Sequence, residues 1–158
     1  YEIAPATARC TQNGPDQGMR GSRWADQGAA RISGRSFPDS ERRRQGFLVF
    51  PGGTLGPAFL ATENFSVLKA YNESDLYALF VGNLADRIAY ASGAFKTPWQ
   101  KIESFTRADV AKAQQALERL GYDVGGADGL IGNKTRRAVG LWQQANGLPV
   151  TCFPNRAT

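Results

Sequence analysis

Tyr71 and Asn72 are neighbours in the sequence, and their two side chains can together recognise a carbohydrate. The face of a tyrosine ring packs on a pyranose ring, and an asparagine amide gives directional hydrogen bonds to an N-acetyl group. A structural alternative exists, because Asn72 can cap the helix that follows and Tyr71 can belong to a core. From these residues alone, the structural alternative is the stronger of the two hypotheses.

Two cysteines and the absence of histidine limit the chemistry of this 158-residue chain. Without an imidazole base, a catalytic triad of the serine-protease kind cannot form within it. A zinc site would have to combine two thiolates with carboxylates, which is an unusual ligand set, so we expect no metal and no cofactor. Cys10 and Cys152 either form one disulfide in an oxidising compartment or remain two buried thiols, and the sequence does not choose between them.

The net charge is +5, and residues 1–50 hold eight arginines and no lysine against five acidic residues. Such a segment can bind a polyanion, namely nucleic acid, an anionic membrane surface or the polymers of a cell wall, or it can be a solvated loop. No nucleic-acid-binding motif accompanies the arginines, so we expect no nucleic-acid partner. No apolar run is long enough to span a membrane.

The last third of the chain has the pattern of two amphipathic helices joined by a glycine-rich loop. Thr106 and Asp109 form a helix-start signal, Gly121 ends the first helix, and a second helix is predicted over about 134–146. The apolar positions that we expect to be buried are Val110, Ala113, Leu117 and Leu120, followed by Ala138, Leu141, Trp142 and Ala145.

The loop between these helices carries turn residues in a fixed order. Three glycines stand where turns can need a positive φ: Gly121, Gly129 and Gly132. The carboxylate of Asp128 can accept backbone N–H groups in its own turn. Thr135, or Asn133 before it, can cap the second helix. We therefore interpret these residues as structural.

In order and spacing, this segment resembles the peptidoglycan-binding module of bacterial wall hydrolases. The matching elements are Leu120-Gly121-Tyr122, Gly125, Asp128-Gly129, Gly132, Thr135, Ala138-Val139, Trp142-Gln143 and Gly147-Leu148-Pro149. The resemblance implies that the module binds peptidoglycan. We expect stem peptide or glycan to lie in a shallow groove beside Tyr122 and the side that carries Arg136 and Arg137, although Tyr122 is explained equally well as a core residue.

Residues 1–97 begin with turns and short strands and continue with helices. Strands are predicted over 1–4 and 46–50, and a short helix over 22–30. Two further helices are predicted over about 62–71 and 75–91. We expect Ser74 to cap the last of these helices, and we expect its wide apolar face to be largely buried.

Motifs between residues 55 and 89 resemble the last part of the catalytic region of the lytic murein transglycosylase B family. They are Leu55-Gly56-Pro57-Ala58-Phe59-Leu60, Asn64-Phe65, Lys69-Ala70-Tyr71-Asn72-Glu73-Ser74, Tyr77-Ala78 and Leu84-Ala85-Asp86-Arg87-Ile88-Ala89. The resemblance implies a protein that cleaves glycan strands between N-acetylmuramic acid and N-acetylglucosamine. It also implies that Tyr71 and Asn72 contact sugar beside the cleft, which reverses the preference stated above for this pair.

The resemblance further implies where the catalytic acid lies. Enzymes of this family use one glutamate, first as acid and then as base, while the muramyl 6-hydroxyl attacks to give a 1,6-anhydro product. That glutamate precedes the Gly-Pro-Ala-Phe motif, so we expect it before Tyr1, on an upstream half of the same enzyme. We expect no catalytic residue on this chain, and we interpret Glu63 as a surface or capping residue.

The sequence therefore predicts a small, helix-rich α+β protein. Residues 1–97 would be an incomplete transglycosylase-like domain, 98–105 a linker and 106–158 a compact peptidoglycan-binding module of the three-helix type. The expected partners are the glycan strands and stem peptides of peptidoglycan, in the periplasm or cell wall of a bacterium. The alternative function is a non-catalytic wall-binding or scaffold protein.

Overall fold

The computed structural model describes residues 1–3, 9–17, 19–20, 31–32, 35–36, 39–91 and 93–155. These residues form short strands and α-helices, which confirms the prediction of a helix-rich α+β fold. The strands are β1 (Glu2–Ile3), β2 (Met19–Arg20), β3 (Arg31–Ile32), β4 (Arg35–Ser36), β5 (Gln45–Val49) and β6 (Ala58–Ala61). The α-helices are α1 (Asp39–Arg42), α2 (Glu63–Tyr71), α3 (Asp75–Tyr90), α4 (Arg107–Arg119) and α5 (Asn133–Ala145). The helix predicted over 22–30 lies outside the described residues.

An antiparallel sheet with the strand order β1-β6-β5-β2 forms the centre of the first part of the chain. Leu60 of β6 pairs with Leu48 of β5, and Phe59 pairs with Val49. All four residues of β6 are buried. The sequence pattern does not predict β6, because a strand covered on both faces shows a short continuous apolar run instead of an alternating pattern.

The side chains of this sheet enter two apolar clusters, because successive residues of a strand point to opposite faces. Leu48 and Leu60 belong to the first cluster. Its other buried members are Ile3, Cys10, Phe50, Ala58 and Cys152. The second cluster joins Val49, Phe59 and Ala61 to Phe65 of α2 and Ala78 of α3. The sheet thus separates the α2–α3 pair from the segments that carry the two cysteines.

Helix α3 starts as the sequence predicts but is less buried than expected. The Oγ of Ser74 caps it by accepting the N–H of Tyr77 at 3.3 Å. Four apolar side chains at four-residue spacing are nevertheless between 46% and 79% exposed: Leu76, Phe80, Leu84 and Ile88. We call this set the apolar stripe. The prediction of a largely buried face is wrong for the stripe, because α3 uses a different face, around Ala78, to contact the sheet.

Of the three helices expected in the peptidoglycan-binding module, residues 106–155 contain two, α4 and α5, which pack around a separate core. A capping box starts α4 as predicted, because Thr106 Oγ1 accepts the N–H of Asp109 at 3.2 Å and the Asp109 carboxylate accepts the N–H of Thr106 at 3.1 Å. The core contains Leu117, Val124, Ala138 and Val139, with Tyr122 and Trp142 packed against it. Leu120, Leu141 and Ala145 were expected to be buried but are exposed, because the contact between the helices covers only part of each apolar face.

Covalent and polar contacts join α5 and the segment after it to the first part of the chain. Cys10 and Cys152 form a disulfide, which decides between the two alternatives that the sequence left open. The Oε1 of the buried Gln143 accepts the N–H groups of Thr151 and Cys152, so it holds the segment that carries the second cysteine. Arg137 of α5 also contacts the Asp16 carboxylate at 2.6 Å.

None of the described helices is both long enough and apolar enough to cross a membrane.

Candidate functional site

The turn between α2 and α3 presents the Tyr71–Asn72 pair at the surface. Tyr71 is 84% exposed, and its ring centroid lies 6.2 Å from that of Tyr77. Asn72 is also exposed, and its Oδ1 accepts the N–H of Ser74 at 2.9 Å. Among the described residues, none accepts a hydrogen bond from the two N–H donors of Asn72. Tyr71 is therefore not a core residue, and the helix cap is Ser74 instead of Asn72.

Asp75, the first residue of α3, connects this turn to two other helices. Its Oδ1 lies 2.6 Å from Nζ of Lys69 on α2, and its Oδ2 lies 2.6 Å from Nη2 of Arg136 on α5. Burial raises the pKa of the Asp75 carboxyl, but the charges and hydrogen bonds of Arg136 and Lys69 outweigh burial and hold the pKa below its ordinary value. The carboxylate is therefore charged at neutral pH and binds both cations.

The sequence predicts a ligand contact for Arg136, whereas the structure places its guanidinium inside the protein. Arg136 is 4% exposed, and its Nη1 donates to the carbonyl oxygen of Ile131 at 2.8 Å. Burial lowers the pKa of Arg136, although the attraction of Asp75 acts in the opposite direction. A wall ligand would reach this guanidinium only if the ion pair with Asp75 opened. In the structure, Arg136 joins α5 to α3.

A buried glutamine, Gln114, organises the loop between α4 and α5, a role that was not predicted from the sequence. Its Oε1 accepts the N–H of Gly129 at 2.8 Å. Its Nε2 donates to Thr135 Oγ1 and to the carbonyl oxygen of Leu130, each at 3.0 Å. The sequence feature that could have indicated this role is an amide side chain on the apolar face of α4, three residues before Leu117. A glutamine buried on such a face needs hydrogen-bond partners.

Asp128 and Gly129 have the turn-forming roles that the motif predicts. The Oδ1 of Asp128 accepts the N–H of Leu130 at 2.8 Å, and this bond is the main cause that lowers the pKa of the Asp128 carboxyl. Gly129 has a φ of 78°, and a Cβ at this position would collide with the backbone of Arg107. Gly121, which follows α4, also has a positive φ of 87°.

Gly132 and Thr135 differ from their predicted roles. Gly132 has a φ of −81°, a value that any residue adopts, so the prediction of a positive φ is wrong there. Gly132 is itself the N-cap of α5, and neither Asn133 nor Thr135 caps that helix with its side chain. Thr135 is buried instead, and its Oγ1 donates to the carbonyl oxygen of Val124 at 3.2 Å. Its hydroxyl is held by Gln114 and Val124, so it cannot turn back to the helix start.

Tyr122 is half-buried at the edge of the core formed by α4 and α5. Its backbone N–H donates to the carbonyl oxygen of Leu117 at 3.0 Å, which anchors the residue just after the end of α4. The ring therefore contacts the core with one part and solvent with another. A ligand contact by Tyr122 stays a prediction.

Two glutamates of the first part of the chain, Glu63 and Glu2, are held by structural contacts. Glu63 is exposed in the first turn of α2, and its Oε2 lies 2.8 Å from Nη1 of Arg44. Glu2 is buried, and its carboxylate accepts the N–H groups of Lys96 at 3.0 Å and Thr97 at 2.8 Å.

Within the part of the chain that the structure describes, no group of three or more potential ligands could hold a metal ion.

A groove of about 560 Å³ lies on another side of the α2–α3 pair. Its walls are mainly apolar and include Phe59, Phe65 and Phe95. Neither Tyr71 nor Asn72 lines it, and the other predicted site residues do not line it either. The groove is therefore separate from the exposed turn.

Two protein-family models match the chain. The transglycosylase SLT domain model matches residues 2–86, and the peptidoglycan binding domain model matches residues 106–158. These matches confirm the two resemblances drawn from the motifs and give the chain a cell-wall context. Among curated proteins, none matches the chain.

Two similar solved structures are of SltB3 from Pseudomonas aeruginosa, one in complex with NAG-NAM-pentapeptide and one in complex with NAG-anhNAM-pentapeptide. Each has a TM-score of 0.81 and 31% sequence identity, and the match covers 99% of this chain and 42% of SltB3. The chain thus spans less than half the length of SltB3. Since the transglycosylase SLT domain model covers more than half of its residues, the chain belongs to the transglycosylase SLT domain family and carries a peptidoglycan-binding domain at residues 106–158.

Proposed function

We propose that this chain is the sugar-contacting and wall-binding part of a lytic murein transglycosylase that cleaves peptidoglycan between N-acetylmuramic acid and N-acetylglucosamine. The observation that carries the proposal is the exposed Tyr71–Asn72 turn, held by Asp75 against the peptidoglycan-binding domain. Tyr71 offers a flat apolar face for a pyranose ring, and Asn72 offers two N–H donors for an N-acetyl carbonyl. The complexes of SltB3 with disaccharide pentapeptides support this assignment of substrate class.

The reaction that we propose needs one glutamate, which first protonates the leaving glycosidic oxygen. The muramyl 6-hydroxyl then attacks the anomeric carbon as the glutamate takes its proton, and the product carries a 1,6-anhydro bond. Glu63 and Glu2 are poor candidates, because an ion pair with Arg44 holds the first and two backbone N–H groups hold the second. We therefore assign the acid to an upstream half of the same enzyme.

The apolar stripe of α3 supports such an upstream half. Leu76, Phe80, Leu84 and Ile88 form a continuous row on the helix surface, and exposed apolar patches of this kind mark contacts with another protein surface. SltB3 is more than twice as long as the matched region, so it contains further structure that can cover this row. We propose that the upstream half packs on the apolar stripe and completes the cleft beside Tyr71 and Asn72.

The proposed location is the bacterial periplasm or cell wall, where glycan strands and stem peptides are the partners. We divide the chain into a partial transglycosylase domain at 1–97, a linker at 98–105 and the wall-binding module at 106–158. A non-catalytic wall-binding or scaffold protein is the second candidate, and it is favoured by the structural surroundings of Glu63 and Glu2. It shares the wall-binding step and lacks the cleavage step.

Incubation with purified sacculi separates the two candidates. We expect the chain alone to sediment with insoluble peptidoglycan and to release no 1,6-anhydro products detectable by mass spectrometry. When the chain is fused to the part of SltB3 outside the matched region, the fusion should release 1,6-anhydro products. In this fusion, Asn72→Ala should slow the release more than the matched control Asn83→Ala on α3. If the fusion binds sacculi but releases no anhydro product, the scaffold function is correct, and if the chain does not sediment, both candidates fail.

A further inference from the structure

Three helices meet at the carboxylate of Asp75. Lys69 lies in the last turn of α2, Asp75 begins α3, and Arg136 lies on α5 of the peptidoglycan-binding domain. The two ion pairs use different oxygen atoms of the carboxylate, each at 2.6 Å. Between Lys69 and Asp75 the chain contains Tyr71 and Asn72, so both ends of the exposed turn are attached to one charged group.

The guanidinium of Arg136 is held with a defined orientation. Nη1 donates to Ile131 and Nη2 to Asp75, while Nε is buried and has no hydrogen-bond partner among the described residues. A buried ion pair of this kind gains little stability over an apolar pair of similar volume, because both charges must lose their water. Its more distinctive effect is to define one geometry, since a planar guanidinium binds in a fixed direction.

Other bonds between the peptidoglycan-binding domain and the first part of the chain reach different places. Arg137 binds Asp16, and the disulfide joins Cys152 to Cys10. These contacts hold the domain on the sheet, but they do not touch the turn. The ion pair of Arg136 with Asp75 instead connects α5 directly to the turn, so a displacement of α5 moves Asp75 and, through it, the residues that it holds.

We propose that Arg136 is a positioning residue that couples the peptidoglycan-binding domain to the Tyr71–Asn72 turn. The proposal rests on the proposed function, in which the turn contacts sugar. A stem peptide or glycan bound to the domain restrains α5, and the restraint passes through Arg136 and Asp75 to Asn72. Because such coupling is reciprocal for binding, occupation of either site raises the affinity of the other.

The test uses the double variant Asp75→Leu/Arg136→Met in the complete chain. It replaces the buried Asp75–Arg136 pair by apolar side chains of similar volume, and the only charge that loses its partner is Lys69, whose side chain is 30% exposed and can be solvated. The matched control is Lys134→Met, which removes an ion pair of the same helix, with Asp123, that stays inside the domain. Backbone NMR order parameters at residues 72–74 should fall in the double variant from a rigid value of about 0.85 toward 0.6. They should not change in the control.

Arg136→Lys provides a second variant, because it keeps the bond between Lys69 and Asp75 that the double variant removes. It keeps the charge but loses the fork that spans Ile131 and Asp75, so order at residues 72–74 should fall partly. The same order parameters at α4 serve as the internal reference, because a general loss of stability would lower them as well. Unchanged order at residues 72–74 in the variants that fold would overturn the coupling.

Binding of NAG-NAM-pentapeptide separates this proposal from the proposed function. If Asn72→Ala leaves the affinity unchanged, the turn is not a sugar site and the proposed function fails, whatever the order parameters show. If Asn72→Ala weakens binding but the double variant changes neither order nor affinity, the sugar site stands and the coupling is wrong. If Asn72→Ala and the double variant both bind the ligand more weakly, while Lys134→Met binds it as tightly as the unmodified chain, the result supports the proposed function and the coupling.

Discussion

The disulfide between Cys10 and Cys152 connects positions 142 residues apart and lies within the apolar cluster of Leu48 and Leu60. It therefore closes nearly the whole chain into one loop. Within that loop, this bond joins the segment after α5 to the first part of the chain, and the hydrogen bonds of Gln143 to Thr151 and Cys152 hold the same segment on α5. Reduction should consequently affect the attachment of the domain before it affects α4 and α5 themselves.

We expect the variant Cys10→Ala/Cys152→Ala to lose about 3–5 kcal/mol of unfolding free energy, because a long loop in the unfolded chain is no longer closed. Urea unfolding, followed by the fluorescence of the tryptophans, measures the change. Reductant should destabilise the unmodified chain by a similar amount and leave the variant unaffected. Alkylation without reductant provides the check, because two added alkyl groups would show that the disulfide is absent.

Gly129 and Gly132 should respond differently to the same substitution. Gly129→Ala should destabilise the domain by ~1–3 kcal/mol, because a residue with a Cβ is strained at φ 78° and would collide with Arg107. Gly132→Ala should cost less than about 1 kcal/mol, because its φ is −81° and the space around it is open. Thermal unfolding of both variants measures the difference. Equal losses would contradict the assigned backbone geometry.

Gln114 and Gln115 form a second matched pair. Gln114→Leu should cost about 1–3 kcal/mol, because the buried N–H of Gly129 loses its partner, whereas the hydroxyl of Thr135 keeps its bond to Val124. Gln115 is exposed on the same helix, so Gln115→Leu should change the stability by no more than about 0.5 kcal/mol. Denaturant midpoints distinguish the two variants, and a neutral Gln114→Leu would mean that the loop does not depend on this amide.

The pH dependence of stability should report the ion pairs of Asp75. Its pKa in the folded protein is below 3.8, so its contribution is complete above that pH and is lost as the pH falls through the lower, folded-state pKa. The unmodified chain should therefore lose more stability below pH 3.8 than Asp75→Leu/Arg136→Met. Acid titration of the unfolding free energy tests this difference. Parallel curves would show that Asp75 has the same pKa in the folded and unfolded chains.

Much of the peptidoglycan-binding domain follows from local sequence. The capping box of Thr106 and Asp109, the positive φ of Gly121 and the turn around Asp128 depend on residues within a few positions of one another. Such short-range interactions leave a recognisable pattern, and the same is true of Ser74 at the start of α3. The family motifs add the expected substrate class to this pattern.

The positions of Arg136 and the apolar stripe were decided by tertiary structure. Arg136 lies on a helix face whose pattern does not show whether it meets solvent or another helix, and its partner Asp75 is 61 residues away. Leu76 and Ile88 look like core residues by periodicity, yet the contact of Ala78 with the sheet turns them outward. Periodicity defines which residues share a face, whereas only the packing of distant segments determines whether that face is covered.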